Sequence, residues 1–108
     1  MVEVRYYRQI NRVSISGHAM SDEKGRDLIC ASVSTLAEAL GAFVDNMKAS
    51  GQVRYPTVKL SEGDALIECN STRYKSSITL VFDAICAGFE HLAHDYPEHV
   101  SYEIIGSI

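Results

Sequence analysis

A histidine and a cysteine twelve positions apart, His18 and Cys30, are the pair in this chain best placed to do covalent chemistry. A thiol attacks well only as its thiolate, and an imidazole within reach can take the proton and later give it to a leaving group. The stretch that holds them, SGHAMSDEKGRDLICASVSTLAEALGAF from Ser16 to Phe43, reads as three parts. A strand closes at Gly17 and His18, a polar loop runs from Ala19 to Arg26, and a helix carries Cys30 in its first turn. With Asp27 as N-cap, Cys30 takes the third helical position, where unpaired N–H groups and the positive helix end favour an anion. That effect is worth ~0.3–1 kcal/mol, whereas one pKa unit corresponds to about 1.4 kcal/mol, so a helix end needs a neighbouring imidazolium to make a thiolate at neutral pH. A strand leaving one edge of a sheet and a helix returning over that sheet meet at the same edge. The loop therefore brings His18 and the helix start together, and Gly17 permits a close approach or an unusual φ there. On these residues alone, the pair is either a nucleophile with its base or a small thiol near an unrelated imidazole.

The other two thiols read differently. Cys69 points with Ala65 and Ile67 on one strand face, and Cys86 lies at the edge of the Phe82–Phe89 helical stripe, so both are expected to be unreactive core thiols. Three cysteines without a C-x-x-C element suit neither a disulfide scaffold nor a zinc finger. They are expected to be free thiols in a reducing compartment. His91 and His94 lie one turn apart with Asp95 and His99 behind them. The order HLAHD is not H-E-x-x-H, and these read as solvated helix-end histidines rather than metal ligands. No metal and no cofactor is expected.

Length and charge narrow the setting. A chain of 108 residues with 46% apolar content suits a single domain, 1–108, that folds without staples. No apolar run approaches a membrane span, and Glu3, Arg5 and Arg8 break a signal-peptide reading of the start, which leaves a cytoplasmic protein with no membrane partner as the expectation. A net charge of −4 argues against nonspecific nucleic-acid binding. The local exception is VRYYRQINR, where Arg5, Arg8 and Arg12 accompany Tyr6 and Tyr7, a composition that stacks on bases but also occurs in ordinary strands.

The elements that must position the pair follow from hydrophobic period. Val2, Val4 and Tyr6 alternate with polar neighbours, and after a turn near Asn11 so do Val13 and Ile15, giving an antiparallel hairpin. Ile29, Val33, Leu36, Leu40, Val44 and Met47 mark the first helix, which ASG at 49–51 ends. Ser34, Ala37 and Gly41 form a line of small residues below Cys30, suited to close packing on another backbone. TVKLS and ALIEC form a second hairpin about EGD. The second helix carries Ile78, Val81, Phe82, Ile85, Phe89, Leu92 and Tyr96, with Ser76 or Ser77 as cap and Pro97 as stop. HVSYEIIG closes the chain as a strand. The order ββαββαβ predicts an α+β two-layer sandwich, a mainly antiparallel sheet with two helices packed on one face.

The run Gly17-His18-Ala19, then Gly25, Asp27, Leu28, Ile29, Cys30 and Ala31, resembles the signature of the ribosomal-processing cysteine proteases, the Prp family. The spacing of twelve from histidine to cysteine is also similar, and length and element order agree over the whole chain. The resemblance implies a small homodimeric endopeptidase that removes an N-terminal extension from a large-subunit ribosomal protein, cutting after an aromatic residue. Carried over, Cys30 is the nucleophile and His18 the general base. Asp27 matches the family's aspartate before the cysteine, as a cap or as an orienter of His18, and Gly17 and Gly25 match loop glycines that serve backbone geometry. The loop from Ala19 to Arg26 would admit substrate, and N–H groups at the helix start would hold the oxyanion. Two other classes remain open at this point: a noncatalytic ribosome- or RNA-associated module using the arginine–tyrosine strand, and a redox-sensing protein in which Cys30 forms a sulfenic acid or an intermolecular disulfide.

Overall fold

The computed structural model describes residues 1–18 and 24–106, with side chains in the first helix described from Leu28 onward. Strand β1 (Val2–Tyr7) leads through a 3₁₀ turn (Arg8–Ile10) into β2 (Arg12–Ser16). Helix α1 (Lys24–Ala49), the hairpin β3 (Arg54–Ser61) and β4 (Asp64–Asn70), helix α2 (Lys75–Asp95) and β5 (Val100–Ile105) follow. The element order is the expected one, and the architecture is α+β: one five-stranded sheet, ordered β3-β4-β2-β1-β5, with both helices on one face.

Three of the sheet's pairings are antiparallel: β1 with β2, β2 with β4, and β3 with β4. The fourth, β1 with β5, is parallel, with Val2 opposite Val100 and Tyr6 opposite Ile104. A parallel neighbour needs a crossover, and α2 supplies it by carrying the chain from β4 to the far edge. Helix α1 does the same at the other side, taking the chain from β2 to the opposite edge at β3. The order matters for the site: β4 lies beside β2, so the β3–β4 turn comes to rest next to the end of β2.

Alternation puts Val2, Val4 and Tyr6, Val13 and Ile15, and Ala65, Ile67 and Cys69 beneath the helices, all buried. Ile29, Val33, Ala37, Leu40 and Val44 of α1 and Ile78, Phe82, Cys86 and Phe89 of α2 close over them. Leu28–Ala49 is long and apolar enough to cross a bilayer, contrary to the reading of the sequence by runs alone. Its Ile29-to-Val44 stripe is spent on the sheet. Of the line of small residues, Gly41 approaches β3, where an added Cβ would stand 3.0 Å from Val58 Cγ1.

Two helix starts differ from expectation. Helix α1 begins at Lys24, so Asp27 is its fourth residue and not its N-cap, and Gly25 lies inside the helix. Cys30 is the seventh residue, in the second turn. Of the loop expected over Ala19–Arg26, the part from 19 to 23 lies outside the described residues, and 24–26 are helical. Helix α2 begins at Lys75, ahead of Ser76 and Ser77, neither of which caps it. Ser71 Oγ accepts from the Tyr74 N–H instead, and Lys75 Nζ reaches back to Asn11 Oδ1 at 2.6 Å and the Gln9 carbonyl at 2.7 Å. Asn11 is fully buried in the left-handed region (φ 48°), with its amide nitrogen donating to Thr79 Oγ1. It ties the first hairpin to the start of α2, which explains a polar residue in the core.

Candidate active site

The end of β2 is fixed from two sides. The Gly17 N–H donates to the Gly63 carbonyl at 3.0 Å, which extends the β2–β4 contact one step beyond the Ser16–Asp64 pair. The Met1 nitrogen donates to the His18 carbonyl at 2.7 Å. Gly17 has φ +92°, and a Cβ there would collide with the Met1 carbonyl oxygen, so both backbone shape and space require glycine. These contacts aim His18 out of the sheet edge, where it is exposed.

Cys30 arrives from α1. The helix buries Ile29 and Val33 on either side of it, which leaves Cys30 turned outward and exposed as a free thiol. His18 and Cys30 line one groove of about 430 Å³. One wall is α1, through Cys30, Val33, Ser34, Ala37 and Glu38, and the other is the β3–β4 turn from Leu60 to Ala65. The floor is Val2 and Ile15 of the sheet. The structure thus brings the two reactive groups into one cleft from elements separated by the 19–23 segment.

Position alters the electrostatic argument. The dipole effect of a helix end falls off within the first turn, so a second-turn Cys30 receives less of it than the expected third position would. Its N–H also lies beyond the four unpaired amides of a helix start, so the oxyanion site expected from the helix start does not carry over to Cys30. His18 is the imidazole that shares the cleft with Cys30. Glu38 and Glu62 add negative charge to the walls, while the third acid, Asp64, is paired with Lys59 at 3.1 Å.

The remaining candidates fall elsewhere. Cys69 and Cys86 are buried; burial raises the Cys69 thiol and pushes Cys86 up to about 12. His91 and His94 are exposed and share Asp95, at 3.0 Å and 3.3 Å. The arginines of the VRYYRQINR strand each face a carboxylate: Arg5 lies 4.0 Å from Glu3, Arg8 forms a two-pronged pair with Asp83, and Arg12 Nε lies 2.6 Å from Glu68. Tyr6 is fully buried and offers no face to a base. The β3–β4 turn was absent from the sequence reading of the site. Its signal, Gly63 in a two-residue turn, becomes meaningful only once β4 is known to lie beside β2.

The profile of the cysteine protease Prp family matches residues 1–101. The fold is similar to SMU.848 from Streptococcus mutans, at TM-score 0.64 and 29% identity over 95% of this chain and 90% of that one. It is also similar to the essential ribosomal processing protease Prp from S. aureus in two crystal structures, one with a covalently linked product peptide and one with a substrate peptide. Both superpose at TM-score 0.67 over 95% of this chain and 96% of that one, at 18% and 17% identity. No curated protein matches the chain in sequence. A family match across nearly the whole length, on a fold that opens a cysteine and a histidine into one cleft, establishes that the chain belongs to the cysteine protease Prp family.

Proposed function

We propose that this cysteine protease uses Cys30 as nucleophile and His18 as general base, and removes the N-terminal extension of a large-subunit ribosomal protein. The observation that carries the reading is the shared groove: an exposed thiol and an exposed imidazole line one cleft of about 430 Å³. His18 takes the Cys30 proton, and the thiolate attacks the carbonyl carbon of the scissile bond. As the tetrahedral adduct collapses, the imidazolium gives its proton to the departing amine. Water then attacks the thioester with His18 again as base, which releases the extension and restores the thiol.

The substrate class is supported by the S. aureus structures and by charge. Glu38 and Glu62 on the cleft walls suit a basic ribosomal protein. Gly17 supplies the positive-φ backbone that leads into His18, while Gly25 and Asp27 occupy the first turn of α1 ahead of the nucleophile. The three free thiols suit a reducing cytoplasm, and the resemblance implies a homodimer. No observation favours the RNA module, since each arginine of its strand already faces a carboxylate. Incubation with the extended ribosomal precursor, with product masses measured, tests the reading. Two fragments summing to the precursor plus water are expected; intact precursor would refute it.

A further inference from the structure

Gly63 is the second residue of the β3–β4 turn, with φ +75°. Its backbone already holds the base's neighbour, through the bond from Gly17 N–H to Gly63 carbonyl. The imidazole itself lies on the same residue. A Cβ built on Gly63 would stand 2.6 Å from His18 Cε1 and 3.3 Å from Cδ2, and nearer still to Nε2. No side chain fits there while the ring stays in place. The ring's Nε2–Cε1 edge rests on a bare Cα.

The geometry points to Gly63 as a positioning residue for His18, a turn glycine whose missing side chain is the seat of the imidazole. The inference rests on the reading of His18 as base. It differs from the ordinary reason for a turn glycine, which is φ alone. Gly51 separates the two reasons. It has nearly the same φ, +73°, but nothing lies within 4 Å of its would-be Cβ. A side chain at 51 meets only backbone strain, whereas one at 63 must also displace the ring. Asparagine tolerates the left-handed region, so Gly63→Asn adds the Cβ at little backbone cost.

The test is a double-mutant cycle read by alkylation of Cys30 with iodoacetamide, a probe too small to be excluded by a narrowed groove. Gly63→Asn is expected to slow labelling near neutral pH by most of the factor that His18→Ala does, and Gly51→Ala not at all. In the His18→Ala background, Gly63→Asn is expected to add nothing, because its effect passes through the ring. In cleavage assays, a ring moved by about 1 Å lowers kcat by up to ~100-fold. Equal slowing with and without His18, or wild-type labelling in Gly63→Asn, would overturn the assignment. Imidazole NMR shifts of His18 keep the two hypotheses apart. They must move in Gly63→Asn even if the wild-type chain cleaves no precursor, and unmoved shifts in an active protease would sink the positioning role alone.

Discussion

The Tyr6 hydroxyl donates to Asp83 Oδ1 at 2.8 Å, joining the first strand to the second helix at the end of the sheet opposite His18. Arg8 grips the same carboxylate through Nε and a second nitrogen, at 3.0 Å and 2.9 Å. The Arg8 hydrogen bonds hold Asp83 below its ordinary value, while burial and Asp83 raise Tyr6 so that it stays a donor. The Tyr6 ring itself stacks on Phe82 at 6.1 Å, one residue before the carboxylate that takes its proton bond.

Asp83→Ala is expected to destabilise the fold by about 1–3 kcal/mol, because it leaves the hydroxyl of a fully buried tyrosine without its acceptor. Asp83→Asn keeps an oxygen for Tyr6 and should cost less at neutral pH. The pH dependence has a definite sign. A carboxylate whose folded pKa is depressed stabilises above its unfolded value, and that contribution disappears as pH falls through the folded value. The gap in denaturation midpoint between wild type and Asp83→Asn should therefore hold from about pH 7 to 5 and close below about pH 4. A gap that stays constant down to pH 2 would show that the charge contributes nothing.

Thiol reactivity should single out one residue. Cys69 and Cys86 are buried, and burial pushes Cys86 to about 12, so neither presents thiolate at neutral pH. Cys30 is exposed in the cleft that His18 also lines. Dilute iodoacetamide on the folded protein is expected to add one carbamidomethyl group, located at Cys30 by peptide mass, before either other thiol reacts. His18→Ala should slow that step. Equal labelling of all three thiols would remove the case for an activated cysteine.

The groove shows what local sequence signals carry. Gly17, His18 and Cys30 were legible because strand period, a loop and a helical stripe meet within thirty residues. The start of α1 is hidden in the sequence because Gly25 and Asp27 look like a break and a cap. Helix interiors tolerate a glycine at about 1 kcal/mol when packing of the rest holds the helix, and α1 has four more turns on the sheet. The start of α2 at Lys75 is tied to the Arg8 and Gln9 carbonyls and the Asn11 side chain, far away in the chain. The turn at Gly63 reaches His18 only because β4 pairs with β2, a long-range choice that hydrophobic period does not encode. Local pattern marks the candidate pair, and sheet order supplies the wall they face.

Assembly is the next expectation. The face of the sheet away from the helices carries Glu3, Arg5, Tyr7, Leu66, Glu68 and Ile105, a mixed surface with half-buried apolar members. Sedimentation at micromolar concentration is expected to give twice the 11.9 kDa chain mass. A single species at the chain mass would refute the homodimer.

Removing the nucleophile should separate folding from catalysis. Cys30 is exposed on the second turn of α1 and contributes little buried area, and alanine is the better helix former, so Cys30→Ala should unfold at or slightly above the wild-type midpoint. It offers no electron pair to the scissile carbonyl, so no thioester forms and cleavage of the ribosomal precursor should be abolished. His18→Ala should be nearly as damaging, since two groups acting as one unit lose most of their effect when either is removed. Cys86→Ala is the opposite case: it opens space in the core beneath α2 and should lower stability while leaving the groove and its chemistry in place. Because Cys30→Ala keeps both walls of the cleft, it should still bind the precursor, and a pull-down with the intact precursor checks this. Cleavage by Cys30→Ala at a rate near wild type would mean that the protease carries its nucleophile elsewhere.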